Sequence, residues 1–372
     1  MKQNVLIIHD SLKGGGAERV LCTILKYLNR DRFNITLLLI YGEGNFIKEI
    51  PGDIEIVSLF PSYSDLYTRV ITHFKGIRNI VRRNRAVKRL RGRSFDTIVS
   101  FMEGPTLKLH SQIRELGNLN CTWVHCNQIL HRWYNFWISP EEERAIYKTM
   151  DRVAMVSEGS KEAFESLFET SAHKQVIANP VDSVTIKTKA GERIKMADGD
   201  VFKIVSVGRL IPAKRHDILL EAVSILKSKG YKISVDILGI GPLEETLKTM
   251  VAELNVNDVV NFAGFVENPY PSMKNADVLC LTSDTEGFPM VVAESLSIGT
   301  PVVSTKVNGV TEMLESGGGV ITGNAPENIA CAIERLINNR ETLEELRKTA
   351  EGAMSRFDIS TIIKEIESFI SK

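Results

Sequence analysis

Apolar residues recur along this chain in two alternating rhythms. Short, β-branched runs appear at "NVLIIHD" (4–10), "NITLLLIY" (34–41), "IEIVSL" (54–59), "DTIVSF" (96–101), "CTWVHC" (121–126), "RVAMVS" (152–157) and "KQVIAN" (174–179). Each reads as a strand, and most are separated by stretches with helical period. After "ANPVD" (178–182) the pattern fades into "SVTIKTKAGERIKMADGD", which reads as a linker with a hinge near 179–200. The alternation then restarts at "FKIVSVG" (202–208), "ISVDILG" (233–239), "VVNFAG" (259–264), "DVLCLT" (277–282) and "PVVST" (301–305), and two helical patterns close the chain at about 340–354 and 359–371. Alternating strands and helices predict parallel sheets covered on both faces. The expected fold class is therefore α/β, with two Rossmann-like, doubly wound domains facing a cleft. They are expected at 1–182 and 183–357, with a last helix, 358–372, packing back on the first.

Composition narrows the field. At 372 residues the chain is too long for one ordinary core and suits two domains. The formal net charge is zero, so no global field favours nucleic acid or a membrane. The halves differ: 25 Lys+Arg against 20 Asp+Glu in residues 1–182, and 21 against 26 in the remainder. The five cysteines form no CxxC pair, which reads as reduced thiols in a cytoplasmic protein. The apolar run in "MKQNVLIIHD" is too short for a signal peptide, and no stretch approaches a membrane span.

In open parallel sheets ligands bind beyond the carboxyl ends of the strands. Four stretches there carry chemistry. "KGGGAERV" (13–20) follows the first strand, and its glycines would let backbone N–H groups approach an anion at a helix start. It fails the dinucleotide fingerprint because Arg19 stands where a third Gly is needed, and it also reads as a plain strand-to-helix turn. "VGRLIPAKRHDILLEAV" (207–223) places Arg209 and Lys214 after Gly208, where two cations suit a diphosphate, or else form solvated surface charge. "LGIGPLEETL" (238–247) reads as a mainly structural Gly turn. "DTEGFPMVVAE" (284–294) brackets a helix start with Glu286 and Glu294, a pair able to hold a polyhydroxylated ligand, or simply a cap and a solvent-facing acid.

The combination of "GGAERV" after strand one, "GRLIPAKR", and "EGFPMVVAE" followed by "GTPVVST" resembles the retaining, nucleotide-sugar-dependent glycosyltransferases of family 4, with the GT-B fold. The resemblance covers the whole chain and is strongest over 202–315. It implies that Gly15 and Gly16 approach the donor phosphates while Gly208, Arg209 and Lys214 meet the leaving diphosphate. Glu286 would contact the transferred sugar, helped by the backbone of Gly287, Phe288, Pro289 and Met290. Glu294 would hold the ribose hydroxyls, Val266 would lie by the base, and His125, in "TWVHCN", would stand near the sugar. His125 also reads as an ordinary core or capping histidine. Glu103, in "SFMEGP", is a candidate for acceptor binding. The resemblance further implies a UDP-sugar donor and front-side attack with retention. No cofactor or metal is expected, and "DGD" (198–200) reads as a linker turn rather than a metal motif.

Residues 69–93 contain ten Lys or Arg and no acid. At helical spacing Lys75, Arg78, Arg82, Arg85, Arg89 and Arg93 share one sector, beside an apolar stripe of Val70, Phe74, Ile77 and Val81. A basic edge about 27 Å long fits anionic headgroups or a lipid diphosphate. Nothing supplies base-reading chemistry for nucleic acid. Trp133, Tyr134, Phe136 and Trp137 either dip into an interface or belong to a core. Members of the resembled family that extend polyprenyl-diphosphate-linked glycans show a similar first-lobe helix, so the resemblance implies a glycan acceptor linked to a polyprenyl diphosphate, met at the inner face of the cell membrane by a peripheral enzyme. Two other readings stay open: a sugar-nucleotide epimerase or phosphorylase of the same fold, and a non-catalytic nucleotide-binding protein.

Overall fold

The computed structural model describes residues 1–65, 68, 75–130, 138–191 and 201–372. The aromatic group 133–137, the "DGD" turn, Val70, Phe74 and the side chain of Lys75 lie outside the described residues. Contacts divide the chain into Met1–Pro180 with Ser360–Lys372, and Val181–Ile359.

The first unit is built on β1 (Gln3–His9), β2 (Phe33–Tyr41), β3 (Glu55–Phe60), β4 (Phe95–Ser100), β5 (Gly117–Val124), β6 (Arg152–Met155) and β7 (His173–Val176). They form one parallel sheet in the order β3-β2-β1-β4-β5-β6-β7. Val5, Leu6, Ile7 and Ile8 are all buried, as a central strand covered on both faces requires. Each such side chain contributes about 1.5–3 kcal/mol relative to exposure. The last helix, Ile359–Ile370, packs here: Phe369 meets Trp123 edge-on at 5.0 Å, Thr97 donates to the Ile370 carbonyl at 2.8 Å, and Arg32 pairs with Glu367 at 2.9 Å.

The second unit repeats the plan with β8 (Phe202–Val207), β9 (Ile233–Leu238), β10 (Val260–Gly264), β11 (Val278–Leu281), β12 (Val302–Thr305) and β13 (Gly319–Thr322), in the order β10-β9-β8-β11-β12-β13. Its core gathers Ile204, Val235, Ile237, Val278 and Val303 with Leu219, Leu220 and Val223 of the helix His216–Ser228. In both units the strand order reverses beside the first strand, between β1 and β4 and between β8 and β11. These are the two points where such sheets leave a crevice.

Two expectations need correction. The stretch read as a linker begins with a helix, Ser183–Ala190, capped by Asp182 accepting the Thr185 N–H at 3.0 Å. It buries only Ile186 and Ala190, so it shows almost no helical periodicity in sequence. Strand β13 escaped notice because it is four residues long, sits at an edge and buries none of its residues fully.

Candidate functional site

In the second unit the loops after β8 and β11 meet at the reversal point. The β8 loop is first pinned to the β9 loop, with Gly208 N–H on the Leu238 carbonyl at 2.9 Å and Leu210 N–H on Ile240 at 3.0 Å. A side chain on Gly239, at φ +150, or on Gly241 would collide with the Gly208 or Leu210 backbone. The chain then makes a tight turn at Pro212–Lys214, and Arg215 adopts a left-handed conformation, φ 48 and ψ 45. Thr282, just past β11, donates its hydroxyl to the carbonyls of Lys214 and Arg215 at 3.0 and 2.8 Å. Asp284 N–H reaches the Ala213 carbonyl at 3.0 Å, and Arg215 pairs with Asp284 at 3.1 Å.

This stitching sets Lys214 Nζ 2.5 Å from Glu286 Oε1, and the Ser283 hydroxyl donates to the same oxygen at 2.6 Å. Ser283 is fully buried and is held through its carbonyl by Thr305 Oγ1 at 2.7 Å. The ion pair is mostly shielded, with 21% and 12% of the two side chains exposed, so attraction is largely offset by lost hydration. A charge pair held at a crevice for little net stability is a group of partners ready to exchange. Arg209 is exposed on the same loop, and a Cβ added at Gly208 would come within ordinary contact distance of the Lys214 stem.

Gly287, Phe288 and Pro289 are buried. Phe288 packs edge-on against Phe357 at 5.3 Å. Pro289 sits at the N-cap of the helix Met290–Ser297, which starts without a side-chain cap. One turn in, Glu294 is buried and accepts a hydrogen bond from the Tyr270 phenol at 3.1 Å. Val266 is half-buried, two residues past Gly264.

The reversal point of the first unit is built differently. His9 ends β1 and His125 follows β5, with Phe101 between their rings at 6.2 and 4.7 Å. Burial first, and then His9, pushes the His125 imidazole down to about 3, so it is neutral at physiological pH. Burial likewise lowers His9 and raises Asp10. Glu103 lies beneath: its Oε1 accepts the N–H groups of His125 and Cys126 at 2.7 and 3.1 Å and the Cys126 thiol at 3.3 Å. Burial raises its pKa, and burial followed by the Glu103 charge pushes Glu143 up to about 7. Glu103, the candidate for acceptor binding, is thus a buried carboxyl that holds the His125–Cys126 backbone through one oxygen.

The glycine turn starts a helix. Gly15 caps the helix Gly16–Tyr27, and the Glu18 carboxylate folds back against it, leaving the helix start beside its own anion. Gly16 faces open space. The basic helix, Lys75–Arg89, is turned round from the expected orientation. Arg82 is buried, donating to the Tyr41 phenol at 2.7 Å, and Arg85 donates to the Leu59 carbonyl at 2.8 Å while stacking over Phe60 at 4.3 Å. Arg78 is half-buried and Arg89 exposed, whereas Ile77, Ile80 and Val87 point outward at 52%, 60% and 40% exposure. The edge of the sheet offers a phenol, a carbonyl and an aromatic face, which arginine uses better than isoleucine does.

Residues 190–353 match the model of the family described as Glycosyl transferases group 1. The chain is a glycosyltransferase. The transferase is 26% identical over 374 residues to an uncharacterized glycosyltransferase of Haemophilus influenzae, covering 98% of this chain and 99% of the relative. It is 29% identical over 309 residues to N-acetylgalactosamine-N,N'-diacetylbacillosaminyl-diphospho-undecaprenol 4-alpha-N-acetylgalactosaminyltransferase of Campylobacter jejuni, covering 82% and 80% of the two chains. Its fold matches Anabaena HepE, solved in complex with UDP and glucose, with a TM-score of 0.77 over 98% of each chain at 22% identity. That likeness gives the fold, GT-B, with two Rossmann-like units.

The enzyme thus brings Gly208, Lys214, Glu286 and the Gly287–Met290 backbone to one crevice, with Arg209 and Glu294 on its adjoining loop and helix. Sequence reasoning missed Ser283, Tyr270 and Gly309. Gly309, at φ +78, lies so close that a Cβ would stand 3.0 Å from both the Gly287 carbonyl oxygen and Phe288 Cα. A Gly four residues past the expected strand 301–305 is a readable signal; a lone Ser or Tyr is not.

Proposed function

We propose that the enzyme transfers a sugar, with retention at its anomeric carbon, from a UDP-sugar to a glycan carried on polyprenyl diphosphate, in bacterial surface polysaccharide or glycan synthesis. The observation that carries this reading is the shielded Lys214–Glu286 pair at the reversal point of the group 1 domain. A donor diphosphate arriving there exchanges for the carboxylate on Lys214. The freed Glu286 turns to the sugar, and Arg209 and Lys214 absorb the charge that builds as the sugar–phosphate bond breaks. The acceptor hydroxyl bonds to the anomeric carbon on the face the phosphate leaves, and its proton passes to the departing phosphate oxygen. With Lys214 held in place and Arg209 on the same loop, the reaction needs no divalent ion. Glu294 takes the ribose diol and Val266 lies by the base. The neutral His125 suits hydrogen bonding to sugar hydroxyls better than charge neutralisation.

Two observations support the lipid-linked acceptor. The Campylobacter relative is named for an undecaprenol-linked diphosphate substrate. The outward Ile77, Ile80 and Val87, with exposed Arg83 and Lys88 on the same helix, form an apolar and basic face suited to an anionic bilayer. Among the described residues no helix is long and apolar enough to cross a membrane. The test is incubation with a panel of UDP-, GDP- and dTDP-sugars, with and without polyprenyl-diphosphate-linked glycans, in buffer containing EDTA. Transfer from a UDP-sugar to the lipid-linked glycan, with the anomeric configuration kept, is the expected result. Transfer only to water or phosphate, or an absolute need for metal, contradicts it.

A further inference from the structure

Glu294 is buried one turn inside a helix, and a carboxylate in that position needs something to aim it. One partner is Tyr270, whose phenol donates to Oε1 at 3.1 Å. Tyr270 is itself buried, at 4% exposure. It opens the short helix Tyr270–Asn275, which follows the loop from β10 that carries Val266. This helix packs against both Ser183–Ala190 and Met290–Ser297, and the Thr300 hydroxyl ties it down through the Met273 carbonyl at 3.0 Å. The phenol is therefore a fixed donor on a fixed element, spanning from the β10 loop to the carboxylate.

We propose that Tyr270 is the positioning residue that gives the enzyme its preference for ribonucleotide donors. Holding one oxygen of Glu294 in a charge-assisted hydrogen bond fixes the rotation of the carboxylate. The group then presents a single geometry to a vicinal diol, which recognises two hydroxyls at once. Without the phenol the carboxylate loses one of the bonds that aim it, and a sugar lacking one hydroxyl loses less. A site built to hydrogen-bond a hydroxyl rejects the analogue that lacks it because its buried polar group is then left unpaired. The proposal rests on the reading of Glu294 as the ribose-binding carboxylate.

The experiment measures binding of UDP and 2′-deoxy-UDP by calorimetry to the full chain and to Tyr270→Phe, Glu294→Gln and the double variant. The wild type is expected to favour UDP by at least about tenfold, Tyr270→Phe to cut that ratio to about two while melting within a few degrees of the parent, and Glu294→Gln to abolish it. Adding Tyr270→Phe to Glu294→Gln is expected to change neither affinity further, because the phenol acts through the carboxylate; a merely structural role would deepen the loss. If Glu294→Gln keeps the ratio, the ribose reading itself fails. If Glu294→Gln abolishes it and Tyr270→Phe leaves it intact, or if Tyr270→Phe unfolds the protein, Tyr270 does not set the preference.

Discussion

The two sheets share a strand order and a reversal point, yet they furnish that point with opposite chemistry. Between β8 and β11 stand ion pairs and an exposed guanidinium: Lys214 against Glu286, Arg215 against Asp284, and Arg209. Around β1, β4 and β5 stand groups that burial drives toward neutrality: His9 and His125 lowered, Asp10 and Glu103 raised. A charged crevice suits a diphosphate, whose anionic oxygens meet preorganised cations. A neutral polar crevice suits hydroxyl groups, which donate and accept without neutralising anything. One fold used twice therefore carries two chemically different crevices, with side chains at the strand ends deciding which is which.

The contrast breaks first at Glu286. Glu286→Ala removes the carboxylate and leaves Lys214 without its partner; kcat for sugar transfer is expected to fall by about 10²–10³, with the fold intact by circular dichroism. A neutral group should matter less. His125→Asn, which keeps hydrogen-bonding capacity, is expected to cost about tenfold in kcat/KM. Because the His125 imidazole is held down to about 3, the rate profile between about pH 5 and 8 should show no step that this variant removes.

The neutral character of the first unit can also be tested without substrate. Glu143 is pushed from 4.5 up to about 7 by burial and then by Glu103. The folded state holds this proton more tightly than the unfolded chain. The contribution to stability is thus complete below the ordinary value and is lost as pH rises through about 7. Glu143→Gln should therefore gain in Tm relative to the parent between pH 5 and pH 8, and a constant difference across that range would contradict the buried-neutral picture. The smallest effect concerns the outward helix face. Ile77→Ser with Ile80→Ser should weaken flotation with vesicles containing anionic lipid a few-fold, leaving turnover of a water-soluble acceptor unchanged.

How much of this could be read from residues alone differs between the units. In the second, the strand ends were legible because β8 and β11 are buried runs closed by Gly208 and by "TSD", and the charged residues following them are few. What stayed hidden there was the support. Ser283 and Tyr270 act through contacts between residues 3 and 24 positions apart, which no period encodes. In the first unit the spacing of the arginines marked one face of a helix, but the rule that charge faces water missed that the middle of that face, Arg82 and Arg85, turns inward. Arg82 and Arg85 turn inward because Tyr41, Leu59 and Phe60 satisfy them there, and those partners lie on other strands. The surroundings of Glu103 were hidden for the same reason: its position after a strand was legible, whereas its bonds to His125 and Cys126 arise only on folding.

The most direct measurement is single-turnover sugar transfer by Arg209→Ala and Lys214→Ala with saturating donor. If these cations stabilise the departing diphosphate, each variant should lose about 10²–10³ in rate while the Glu143 pH signature of the first unit stays as in the parent. Turnover of both variants at the wild-type rate would contradict the account.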